Sequence, residues 1–138
     1  GGLNLAIIER RTKGLVELAT NLSGEYATKT CCVVGVTGKL GRNEKPVAAA
    51  LARAINEASD FVANYPAETA RIYSAYSKVS EADLRAVLAT LTHKHHPQGQ
   101  ALRQEIEFYA RDFKLVGVLK PGTDPARFAA HVHADVLT

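Results

Sequence analysis

From Val47 to Val62 the apolar residues come at steps of three and four: Val47, Ala50, Leu51, Ala54, Ile55, Ala58, Phe61 and Val62. That spacing puts them on one face of an α-helix, and the rest of the chain has to be arranged around it. Pro46 opens the helix well, because a first-turn N–H has no intrahelical partner and proline lacks one anyway. The period persists downstream. Asn64 and Pro66 restart a second helix, "PAETARIYSAYS", on which Ala70, Tyr73 and Ser77 compete with Ile72 and Tyr76 for the inward stripe. Ser80 followed by Asp83 resembles a capping box opening "EADLRAVLATL". Pro97 and Gly99 break the chain before "QALRQEIEFYARDFKLVG", a fourth helix with Leu102, Ile106, Tyr109 and Phe113 aligned. "VLKPGTDP" reads as a loop. Asp124 then caps a last helix led by Pro125, with Phe128, Val132 and Val136 facing inward.

The upstream third reads differently. Residues 3–11 have the spacing of a short helix, with Leu3, Ala6 and Ile7 on one face, and Gly14 ends it. "LVELATNL" (15–22) could be a strand, with Leu15, Glu17 and Ala19 alternating with Val16, Leu18 and Thr20, and "SGEYATKT" looks like a loop. "CCVVGV" (31–36) is short, β-branched and apolar, the pattern of a strand buried on both faces. "GKLGRNEK" is a connector. One or two strands do not complete a sheet, and the chain begins Gly1-Gly2 and contains no Met. The expectation is therefore a predominantly helical piece of a longer α/β protein.

Composition removes several function classes. The formal net charge of +3 over 138 residues is mild. No run of Lys and Arg is interleaved with aromatics, so nucleic acid is not an expected partner. No apolar stretch approaches the roughly 18–20 residues of a membrane span, and no signal peptide, internal repeat or low-complexity tract is read in these residues.

The two cysteines, Cys31 and Cys32, are adjacent. Neighbouring Cα atoms lie about 3.8 Å apart across a trans peptide, below the roughly 4.4 Å lower edge for ordinary disulfides. In a strand their side chains point to opposite faces, which also defeats a shared metal. Two compact packing residues are expected. His93, His95 and His96 invite a metal reading, against which stands a solvated helix end complementing the negative pole of the helix dipole. On one helix His131 and His133 face different ways and do not chelate. Glu105 and Glu107 read as a solvated acidic face. There is no Gly-x-Ser-x-Gly, phosphate loop or zincin motif, so neither catalysis nor a cofactor is expected.

The order of segments carries more than any one of them. "LATNLSGEYATKTCCVVGVTGKLGRNEKPVAAALARAINEASDFVANYPAETARIY" resembles the C-terminal half of the periplasmic solute-binding proteins of ABC importers, in the nitrate, sulfonate, taurine and bicarbonate group. "VSEADLRAVLATLTHKHHP" and the tail from Glu105, with its "G-x-L-K-P-x-x-D-P" turn, look like that family's last helices. The resemblance implies an α/β fold of the type II periplasmic binding kind, with two lobes joined by a hinge and closing on a small anionic solute. Residues 1–30 would then end the second lobe and approach the hinge. Residues 31–138 would form the return strand and the C-terminal helices of the first lobe. It also implies a periplasmic location, a membrane permease as partner, and ligand contacts from the loop entering the return strand: Tyr26, Thr28, Lys29 and Thr30. Self-association through an incomplete sheet is a further expectation. Two other readings stay open. One is a metal-binding protein using His93, His95 and His96. The other is an enzyme on the same fold, like the related thiamin-precursor biosynthesis proteins, with the thiols and histidines as its site.

Overall fold

The computed structural model describes residues 8, 12–16, 18–19, 23–90 and 95–137. Among these the chain is helical. A 3₁₀ turn at Gly24–Thr28 is followed by α1 (Gly38–Asn43), α2 (Lys45–Asn64), α3 (Pro66–Ser74), α4 (Glu81–Thr90), α5 (Gly99–Leu115) and α6 (Pro125–Val132). No strand forms among the described residues. The expected α/β class, with its one or two short strands, is corrected to an all-helical one.

The physical reason is visible at residues 31–36. The run is extended coil, and Val33, Val34 and Val36 are 60%, 51% and 40% exposed. A β-branched run becomes a strand only where a second backbone takes its N–H and C=O groups, and no described segment does so here. Residues 15–22 behave the same way where they are described: Leu15, Val16 and Leu18 are exposed and irregular. Residues 17 and 20–22 lie outside the described set. So does nearly all of the helix expected over 3–11; Ile8 is helical, and its carbonyl accepts from the Thr12 N–H at 2.9 Å.

Two compact units divide the chain. One holds the chain up to Ala27 together with Asn56–His95; the other holds Thr28–Ile55 with His96–Thr138. In the first, α3 packs against α4. Among its described residues the enclosed apolar ones are Ala70, Leu84 and Val87, at 0%, 5% and 9% exposure. The two competing stripes resolve narrowly: on α3 Ala70 turns inward while Ile72 and Tyr73 stay exposed, and Tyr76, in the turn after the helix, is exposed as well. Ser80 caps α4 as expected, its hydroxyl accepting from the Asp83 N–H at 3.2 Å. Ion pairs Arg71–Glu68 and Arg85–Glu81 sit on exposed helix faces, where solvent screens them.

In the second unit α5 packs against α6, and Ala110 and Ala129 are almost wholly enclosed. Asp124 caps α6 by accepting from the Arg127 N–H at 2.8 Å. Gly117, at φ 76°, closes α5 in the left-handed region that glycine adopts without a Cβ penalty. There the Leu119 N–H reaches back to the Phe113 carbonyl at 2.9 Å. The helix α6 ends at Val132, so Val136 lies beyond it, and Val132 is half exposed. The expected connector at 38–45 is helical over α1, because the Thr37 hydroxyl accepts from the Leu40 N–H at 3.2 Å and starts a turn.

The helix α2 has the expected period but not the expected burial. Val47, Leu51 and Ile55 are 52%, 41% and 37% exposed, whereas Ala48 and Ala49 are buried. Its many alanines favour the helix without help from packing, so helical period and inward face part company here.

Candidate functional site

One turn of α5 grips the loop that leaves the 3₁₀ turn. Glu105 and Tyr109 are four residues apart and so share a helix face. The Thr30 N–H donates to Glu105 Oε2 at 2.7 Å. The Tyr109 hydroxyl donates to the Thr30 carbonyl at 2.9 Å. Both main-chain groups of Thr30 are thereby fixed, and its hydroxyl donates to the Cys32 carbonyl at 3.0 Å. Glu105 is 9% exposed, the one buried charged residue among those described. A buried carboxylate has to be hydrogen-bonded, and the backbone of residue 30 supplies a donor.

Lys29 lies beside this anchor, its ammonium 5.2 Å from the centroid of the Phe108 ring. That distance permits a cation–π attraction. The ring itself is braced edge-on by Tyr109 at 5.5 Å, and Tyr109 in turn meets Phe113 at 6.3 Å. Among the described residues no carboxylate forms an ion pair with Lys29. Of the four loop residues singled out from the sequence, Tyr26 is half-buried within the 3₁₀ turn and Thr28 is exposed at its end. Lys29 and Thr30 are half-buried.

Glu105 was legible only as part of a solvated acidic face, and for Glu107 that reading suits: it pairs with Arg111 on the surface of α5. A signal for Glu105 was present in the register. It stands three residues after Leu102 and four before Tyr109, inside the apolar stripe rather than opposite it.

Burial raises the Tyr109 phenol above its ordinary 10.0, and the negative charges of Glu105, Cys31 and Asp112 add to the shift. A raised value means that the folded state prefers the neutral phenol, the form that donates to Thr30. Its stabilising contribution is intact below the ordinary value and is lost as pH climbs through the folded one. Subtracting the tyrosinate absorbance titration of Tyr109→Phe from that of the wild type should leave a single step above 10. A step at the ordinary value would mean that the hydroxyl is not held.

The thiols do not pack inward. Cys31 and Cys32 are both exposed and not joined in a disulfide. A bend at Cys31 turns the side chains the same way, and the Cys32 thiol donates to the Cys31 sulfur at 3.7 Å. The opposite-face geometry expected of a strand is corrected with the strand itself. His95 is exposed and His96 half-buried, with its Nε2 enclosed and without a hydrogen-bond partner; His93 lies outside the described residues. His131 is exposed near the end of α6, and His133 follows that helix rather than lying on it. No group of three His, Cys, Asp or Glu side chains is placed to hold a metal among the described residues. A shallow, open depression on α6 is lined by Thr123, Asp124, Arg127, Phe128 and His131. No described helix is long and apolar enough to cross a membrane.

Compared with family models, with curated proteins and with solved structures, the chain matches none of them.

Proposed function

We propose that the chain is part of the solute-binding component of an ABC importer, where it captures a small anionic solute of the nitrate, sulfonate or taurine kind. The role is binding rather than catalysis, in the periplasm, with a membrane permease as the downstream partner. The reading starts from the order of segments and from the loop Tyr26, Thr28, Lys29 and Thr30, and it does not draw on a sheet. The observation that carries it is Lys29. Its ammonium is positioned on a loop whose next residue is fixed at both main-chain groups, and its charge is met by an aromatic face instead of a carboxylate. An oxyanion is the complement such a cation lacks. Lys29 would supply the charge and the exposed Thr28 hydroxyl a hydrogen bond, while Thr30 holds the loop in place.

Calorimetric titration of taurine, methanesulfonate and nitrate into the full chain tests the proposal. At least one should bind saturably at one site, and Lys29→Ala should weaken it roughly 10-fold or more, as for loss of one charged hydrogen bond. Absence of saturable heat with all three, or equal binding by the variant, would sink it.

A further inference from the structure

The sulfurs of Cys31 and Cys32 stand 3.7 Å apart on an exposed bend. That separation discriminates among the things two thiols can do. A disulfide needs about 2.05 Å, and the adjacent Cα atoms are already closer than ordinary disulfides allow. A centre bonded to both sulfurs at about 2.3 Å places them about 4.6 Å apart if the S–X–S angle is linear, and about 3.8 Å apart if it is tetrahedral. The observed gap is that of two sulfurs in contact and matches a bent bridge rather than a linear one, while the adjacency of the two residues argues against a direct bond.

The number of ligands narrows the choice again. A tetrahedral zinc site takes four donors and a catalytic one at least three from protein. Among the described residues no third His, Cys, Asp or Glu joins the pair. Trivalent arsenic needs only two sulfurs, because its third bond is to its own substituent. The thiol state points the same way. The hydrogen bond to Cys31 and then the negative charge of Cys31 hold the Cys32 thiol above its ordinary 9.0. A divalent cation has to expel both protons to gain thiolate ligands, which a raised value opposes. Condensation with an arsenous acid derivative is neutral overall and keeps no charge at the site.

We infer that Cys31 and Cys32 form a two-thiol capture site for trivalent arsenicals of the type R–As(OH)₂. Two As–S bonds form and two As–O bonds break. Each thiol proton leaves with a hydroxide as water, and arsenic stays trivalent, so no oxidant or reductant takes part. The site is independent of the anion-binding proposal, since neither Lys29 nor Thr28 enters it. Thr30 serves it indirectly: its hydroxyl on the Cys32 carbonyl and its two bonds to α5 fix the backbone on which the sulfurs sit.

The test uses the reduced full chain and phenylarsine oxide, read by intact-mass spectrometry and thiol titration. One arsenical per chain should consume both thiols, survive excess 2-mercaptoethanol and be stripped by dimercaptopropanol. Cys31→Ser and Cys32→Ser should each lose retention against the monothiol by roughly 100-fold or more, the usual gain from a second linked attachment. Both residues are exposed, so helical circular dichroism should not change in either variant. A single-cysteine variant that retains the arsenical like the wild type would overturn the inference. So would a wild-type adduct that the monothiol strips as readily, or displacement of the arsenical by equimolar Zn²⁺.

Discussion

Replacing Glu105 by alanine should cost the second unit about 2–3 kcal/mol, while Glu105→Gln should cost about 1 kcal/mol or less. The two numbers separate a hydrogen bond from a charge. Alanine leaves the Thr30 N–H without the oxygen it meets at 2.7 Å, and a part-buried donor deprived of its acceptor retains its full desolvation penalty. Glutamine keeps an acceptor at the same reach. It forfeits charge assistance but is also spared the cost of burying a carboxylate, and these effects oppose each other. Urea unfolding followed by helical circular dichroism would measure both. A Glu105→Ala midpoint equal to wild type would show that the anchor contributes nothing.

The same anchor predicts coupling. Glu105 and Tyr109 hold opposite sides of one residue, the N–H and the carbonyl of Thr30. Once either is removed, the loop has less reason to stay on α5, and the second bond has less left to contribute. The double variant Glu105→Ala with Tyr109→Phe should therefore cost less than the sum of the singles, as for residues that share a partner.

This anchor also marks the boundary of what a sequence discloses. Helix positions and caps were readable because they depend on near neighbours: Ser80 and Asp124 cap the helices they appeared to cap. At α1 two glycines in six residues weigh against a helix, although Thr37 carries the capping signal. The strand at 31–36 was misread because side-chain type sets only the local preference. The partner backbone that completes a strand is remote in sequence, and among the described residues none pairs with this run. α2 makes the complementary point, since an apolar stripe specifies which residues align and not what covers them.

Within the candidate site, the residue types at 26–32 were visible and their geometry was not. Thr30 meets Glu105 across 75 positions and Tyr109 across 79, a pairing no local pattern encodes. The cysteines show the reverse dependence. Their expected divergence rested on the strand, so when the backbone bends at Cys31 instead, both sulfurs come to one side.

In the first unit the largest effect should come from Leu84→Ala, a loss of about 2–3 kcal/mol. Few of the described side chains are enclosed there, and Leu84, at 5% exposure, is larger than Ala70 or Val87. One methine and two methyl carbons would be withdrawn from the contact between α3 and α4. The value should fall at the low end of the range for buried leucines, because a small two-helix contact can close part of the cavity. Even so, it is a sizeable share of the 5–15 kcal/mol that typically keeps a domain folded. Tyr76→Ala is the matched control: it removes a larger side chain, but one that is 83% exposed, and should change stability by no more than about 0.5 kcal/mol. Parallel urea titrations of the two variants weigh enclosure against size. If Tyr76→Ala proved the more damaging, the Tyr76 ring would have to be covered in solution, and the α3–α4 contact would not be what holds this unit together.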